Sequence, residues 1–287
     1  MTSELSPEQV QQFHKDGYLL VENAVSGELL ERLSAQFSSW VDESRAHHEP
    51  FGEMIDGRPR FDIEPEHSAQ LPALRRVSSP IEISGDYLEA MRDSAIADLV
   101  GQLIGPDIKY HHCKINSKLP GTKTSVKFHQ DFPFTPHTND SLITALLFID
   151  DVTEMNGALE VVPGSHTGPL YSLWHDGVFT GAVSEDIHAD IANRTQLCTG
   201  KAGAICLMHT RLLHGSAPNL SEHPRTLYIC VYSSVDAKPL TPNPVPNHFD
   251  QTIVRGSDTA RIRCTEYELV QPQLPTGASF FTQQAEN

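Results

Sequence analysis

Apolar positions along the chain change their period near residue 105. Before it, spacings of three and four prevail: Leu29, Leu30, Leu33, Phe37 and Trp40 fall on one face of a helix that Ser26 opens. Ser6-Pro7-Glu8 starts an earlier helix, with a capping hydroxyl, proline at the first helical position and an acid in the first turn. Gly17 ends it, and Tyr18-Leu19-Leu20-Val21 predicts a short strand. Residues 46–70, rich in His, Glu, Pro and Gly, read as a loop, and 87–103 as a further helix stopped by Gly105-Pro106.

Beyond that point, short apolar runs punctuated by Gly, Pro, Asn and Asp predict strands over 108–117, 125–129, 142–149, 158–162, 203–208 and 225–234. "MNGALEVVPGSH" reads as a barrel-closing hairpin that turns at Asn156-Gly157. The expectation is a mainly β fold with flanking α-helices and a jelly-roll or cupin-like double-stranded β-helix core. Residues 1–287 form a single domain in this reading: a helical layer over about 1–105, a β core over about 106–236 and a C-terminal loop or lid segment over 237–287.

Composition narrows the function. With 39% apolar residues the chain can bury a core. A net charge of −16 argues against a nucleic-acid partner and against an anionic membrane surface. Five scattered cysteines, never in C-x-x-C, argue against a disulfide framework and a thiolate zinc site. The first residues are polar, unlike a secretory signal, and no apolar run is long enough to span a bilayer. A reducing, cytoplasmic compartment is the expected setting.

Four His-x-Asp pairs occur, at His14, His129, His188 and His248. Only His129 and Asp131 lie at the end of a β segment, between Phe128, Phe132 and Phe134, where both could face a dry cavity. The plainer reading is a hydrogen-bonded His–Asp pair at a buried strand end. His209, His214 and His223 are candidates for a third ligand. His214 is followed by Gly215-Ser216, which permits a tight turn, and Arg225, eleven residues on, opens the next apolar strand. A buried arginine needs an anion, and its fork suits a carboxylate. Two histidines and one aspartate leaving open positions form the facial triad of non-haem Fe(II) oxygenases. Arg225 would then hold the distal carboxylate of 2-oxoglutarate.

"FHQDFPF", "LLFIDDVTEMNGALEVVPGSHTGPL" and "HGSAPNLSEHPR" together resemble the phytanoyl-CoA dioxygenase family of Fe(II)/2-oxoglutarate oxygenases, which includes the ectoine hydroxylases. The resemblance runs from "SPEQVQQFHKDGYLLVENAVSGELLERL" to about Tyr232. It implies that His129, Asp131 and His214 bind iron, and that Arg225 and Ser216 hold 2-oxoglutarate. "HCKINSKLPG" is similar to the stretch Q-x-R-I-N-x-K of ectoine hydroxylases, which implies that Lys118, Asn116 and Lys114 lie around the co-substrate. His112 stands where that stretch has a substrate-touching glutamine, a departure that counts against ectoine as substrate. Leu146 or Leu147 replaces a tryptophan of many members, and Arg75-Arg76 loosely matches a family basic residue that contacts 2-oxoglutarate. The histidine of "PGSH", His166, is no iron ligand in the family.

The resemblance implies an enzyme that uses Fe(II), 2-oxoglutarate and O2 to hydroxylate a C–H of a small molecule, such as an amino acid, a zwitterion or a natural-product intermediate. The carboxylate of Asp131 favours hydroxylation over halogenation. Substrate contacts are sought at His112, Phe132, Phe134, Trp174 and Arg76, with lid segments from 46–70, 166–200 and 238–262. The acidic composition makes a CoA thioester less attractive than a small free molecule, acted on by a monomer or homodimer. The rivals are a cupin-like metalloenzyme without 2-oxoglutarate, which has no use for Arg225, and a non-catalytic binding module.

Overall fold

The computed structural model describes residues 4–270 together with Phe281 and Gln284. In chain order the elements are α1 (Pro7–Asp16), β1 (Tyr18–Val21), α2 (Gly27–Ser44), β2 (Phe51–Ile55), β3 (Arg58–Ile63), β4 (Leu74–Ser78), α3 (Gly85–Arg92) and α4 (Ala95–Ile104). There follow β5 (Ile108–Lys118), β6 (Val126–His129), β7 (Leu142–Phe148), β8 (Leu159–Val161), β9 (Trp174–His175) and β10 (Val178–Phe179). The chain continues with α5 (Glu185–Ile191), β11 (Gln196–Cys198), β12 (Ile205–His209), β13 (His214–Ser216), β14 (Arg225–Ser234) and β15 (Ile253–Arg255). None of the described helices is long and apolar enough to cross a membrane.

Two antiparallel sheets make the double-stranded β-helix. The larger runs β1-β12-β7-β14-β5-β4-β3-β2, with β15 also on β5; the smaller runs β11-β8-β13-β6. β14 is buried along its whole length between β7 and β5. Its alternate residues serve two different cores, which is why it reads as an unbroken apolar run. Tyr228, Cys230 and Tyr232 join the cluster under the helices, whereas Leu227 and Ile229 join Phe148, Leu159 and Met208 between the sheets.

Tyrosine hydroxyls tie the helical layer to that strand. Tyr228 donates to the Tyr87 carbonyl at 2.9 Å, Tyr232 to that of Met91 at 2.7 Å, and Tyr87 to that of Leu33 at 2.9 Å. Buried phenols need such partners; the first two here fix α3 to the sheet and the third fixes α3 to α2. α1 begins as its Ser-Pro-Glu start predicts, with Ser6 and Gln9 in a reciprocal capping box.

Three expectations are corrected. Residues 46–70 are not only loop: β2 and β3 pair as a hairpin and extend the large sheet through β4. Their charged side chains hid them, since Arg60 is buried against Glu53 and Glu82, and Arg75 against Asp62. The single helix over 87–103 is two, because the Ser94 hydroxyl caps a new start by accepting from the Ile96 N–H. "MNGALEVVPGSH" is no hairpin: β7 lies in the large sheet and β8 in the small one, so the Gly157 turn crosses between sheets.

His166 has a packing role. Its Nε2 donates to the His14 carbonyl at 3.2 Å, its ring stands 5.3 Å from that of His209, and it lies against Gly17. Gly17 has φ +80°, and a side chain there would collide with the His166 ring. Gly17→Ala is expected to destabilise the fold by roughly 1–3 kcal/mol, measured by denaturant unfolding, with iron affinity unchanged in the folded fraction.

Candidate active site

β6 and β13 pair so that His129 and His214 are direct register partners. Their rings lie 4.2 Å apart. Each Nδ1 donates to a carbonyl two residues back, His129 to Lys127 and His214 to Leu212, both at 2.9 Å. Those bonds fix the tautomer and leave each Nε2 lone pair aimed inward. Asp131 lies beyond the strand end, with φ −73° and ψ −31°, at the start of a short 3₁₀ segment, Phe132–Phe134, that contains Pro133. It is therefore this turn of the chain that presents Asp131 beside His129, rather than two residues on one strand face. Asp131 Oδ1 lies 3.5 Å from His129 Nε2 and 3.6 Å from His214 Nε2.

The three donor atoms lie within 4.8 Å of one another, and no other such cluster occurs among the described residues. Burial, with the neighbouring His129, pushes His214 down to about 4, so the ring is neutral and fit to ligate. Burial acts to raise the Asp131 pKa, but His214, His129 and the charge of Lys114 outweigh it and keep the carboxyl ionised. Asp131 Oδ2 accepts from the Thr144 hydroxyl at 2.7 Å, which leaves Oδ1 for a metal. Two imidazoles with inward Nε2 atoms and one anchored carboxylate fit a divalent first-row metal and leave coordination positions open.

These groups open onto a cavity of about 740 Å³. At one end stand Arg225, Lys118 and Ser216. Arg225 Nε donates to the Gly157 carbonyl at 3.0 Å, and Lys118 Nζ donates to Ser216 Oγ at 2.7 Å and to the Ala217 carbonyl. Among the described residues no carboxylate pairs with either cation. Burial lowers Arg225 to about 10; burial and then Arg225 lower Lys118 to about 6. Gly157, at φ +82°, admits this approach, since a Cβ there would lie 2.6 Å from the Ala217 oxygen. The donor set fits one carboxylate of a dicarboxylic acid.

The other sequence candidates divide. Phe134 lines the cavity, edge-on to His129 with ring centroids 6.0 Å apart, as do His112, Lys114, Asn116 and Arg76. Phe132 turns away, buried with Leu142 and Ala237 against Tyr267. Trp174 does not line the cavity either; it packs on Phe179, which does. Arg75 points to Asp62. Leu146 faces the cavity, whereas Leu147 belongs to the core under the helices. Thr144 escaped the sequence reading, although it is the sole polar residue in the run Leu142–Phe148, and Gly157 was read only as a turn residue. Of the lid segments, 46–70 contributes Asp56 and Arg58, 166–200 contributes Phe179, and 238–262 contributes 241–247 and Asp250.

A double-stranded β-helix with two inward histidines and one carboxylate defines a mononuclear non-haem metal oxygenase. More narrowly, the chain belongs to the phytanoyl-CoA dioxygenase (PhyH) family, whose model matches residues 13–227. It is 35% identical over 219 residues to the probable alpha-ketoglutarate-dependent hypophosphite dioxygenase of Stutzerimonas stutzeri, covering 74% of this chain and 75% of that protein. It is 28% identical over 269 residues to the ectoine dioxygenase of Bordetella parapertussis, covering 85% and 82%. The apoform crystal structure of EctD from S. alaskensis superposes with a TM-score of 0.66 at 21% identity, over 90% of this chain and 87% of that one.

Two outcomes are expected. Thr144→Val frees Asp131 to rotate and lowers Fe(II) affinity 10–100-fold, as loss of a ligand's outer hydrogen bond does; anaerobic metal titration measures it. Lys118 has a folded pKa below its unfolded value, so the unfolded state binds the extra proton between about 6 and the ordinary lysine range. Lys118→Met is therefore expected to raise the melting temperature of the metal- and co-substrate-free protein most below pH 6. The gain shrinks as pH rises toward the unfolded pKa, and a pH series of thermal melts checks it.

Proposed function

We propose that this chain is an Fe(II)- and 2-oxoglutarate-dependent dioxygenase that hydroxylates a C–H of a small free molecule. The carrying observation is that His129, Asp131, His214 and Arg225 all line one cavity. His129, Asp131 and His214 would hold the metal. Bound there, Fe(II) would supply dioxygen activation, through which the C–H becomes C–OH while 2-oxoglutarate and O2 yield succinate and CO2. Arg225, with Ser216 and Lys118, would fix the distal carboxylate and so orient the co-substrate toward the triad. Leu146, Leu227 and Met208 present an apolar wall that keeps water from the reacting face.

Two relatives are named for chemically unlike substrates, ectoine and hypophosphite. Neither is carried over; the cavity size supports a small molecule of the amino-acid or natural-product kind. The five cysteines are all unpaired, which supports a reducing, cytoplasmic setting.

Anaerobic Fe(II) with 2-oxoglutarate is expected to give a weak visible charge-transfer band, and air to release succinate. His129→Ala removes both. Arg225→Ala weakens 2-oxoglutarate roughly thirtyfold or more, since truncating a buried charged partner costs about 2–5 kcal/mol. Absence of the band and of succinate in the wild-type protein would refute the assignment.

A further inference from the structure

The cavity holds a second group of cations away from Arg225. Lys114 and Asn116 alternate with buried residues along β5, and Arg76 on β4 is the register partner of Asn116. Arg76 Nε donates to Asn116 Oδ1 at 3.2 Å, and its guanidinium lies 4.7 Å from the Phe281 ring centroid. Among the described residues no carboxylate pairs with Arg76. The Lys114 ammonium has neither hydrogen bond nor ion pair among them, and it faces the cavity.

Lys114 and Lys118 stand four residues apart on one strand, about 13 Å between their Cα atoms at the usual rise. Asp131 and His214 both feel the charge of Lys114, which puts it on the metal side of the cavity, where a substrate C–H must lie. Burial, then Arg76, lower Lys114 to about 8 although the charge of Asp131 acts the other way, so a further anion beside the two cations is favoured. Beside them, Leu227 and Ile229 on β14 are the register partners of Asn116 and Lys114 and give an apolar strip.

We propose that Lys114 and Arg76 form a second anion pocket, separate from the one at Arg225, which receives an oxyanion carried by the substrate. The proposal rests on the oxygenase reading above and narrows it, moving Lys114 from the co-substrate surroundings that the resemblance implies to the substrate. The substrate is a small molecule with a short apolar body and a carboxylate or phosphonate head. Arg76 meets that head with its fork and Lys114 with a point charge, while the apolar body lies along Leu227 and Ile229.

The test uses the Fe(II)·2-oxoglutarate protein in low-chloride buffer, with propylphosphonate, butyrate and uncharged butyramide as probes. Each is titrated anaerobically against the charge-transfer band, then assayed for stimulated succinate release. At least one anion is expected to shift the band at millimolar concentration, and butyramide is not. Tighter binding of the phosphonate marks a doubly charged head, tighter binding of butyrate a singly charged one, and either supports the pocket. Lys114→Met and Arg76→Met are expected to weaken the anion at least tenfold while the KM for 2-oxoglutarate moves less than twofold. Lys114→Arg restores binding, which separates the charge from a folding defect. A band that no anion perturbs, or that butyramide perturbs as strongly as butyrate, overturns the pocket. So do variants that raise the 2-oxoglutarate KM and leave probe affinity intact. Absence of the band itself in the wild-type protein refutes the oxygenase reading instead.

Discussion

The structure depends on holding ionisable groups inside a sheet sandwich with one atom of each left over. A half-buried carboxylate and two buried imidazoles are unfavourable unless every other polar atom they carry is satisfied. The carbonyls of Lys127 and Leu212 take the two Nδ1 protons, and Thr144 takes one Asp131 oxygen. What remains is three inward atoms with one common neighbour to seek. The pairing of β6 with β13 sets their spacing, so an error in that register would scatter the site.

The same economy runs along β14 and β5. One face of these strands is closed by tyrosines and helices, which makes it rigid. On the opposite face β5 presents Lys114, Asn116 and Lys118 to the cavity and β14 presents Arg225, Leu227 and Ile229, which makes it a binding surface. Rigid packing behind and charge in front belong to alternate residues of the same two strands. Gly157 completes the arrangement by letting a turn between the sheets approach Lys118 and lend its carbonyl to Arg225.

The strand and helix pattern, and the choice of His129, Asp131 and His214 among the histidines, could be read from periodicity, position and motif spacing. Their mode of presentation could not. Asp131 comes from a turn because Pro133 ends the extended run, and alternation along a strand carries no trace of that. Phe132 and Phe134 look equivalent in sequence, yet the intervening 3₁₀ step sends one into a core and the other to the metal. β2 and β3 were hidden because their stability comes from ion pairs made with residues far along the chain, such as Glu82. Thr144 was visible as a polar exception in an apolar strand, but its partner lies thirteen residues away.

The contrast between the outside and the inside of this molecule bears on traffic. The body carries a net charge of −16, whereas Arg225, Arg76 and Lys114 line the cavity. Charges on the surface are felt only within about 8 Å at physiological ionic strength, while those buried in a cavity are screened much less. Added salt should therefore speed the entry of a dicarboxylate by hiding the repulsive exterior, and do little to loosen it once seated. The protein is acidic to an anion at a distance and basic to one that has arrived.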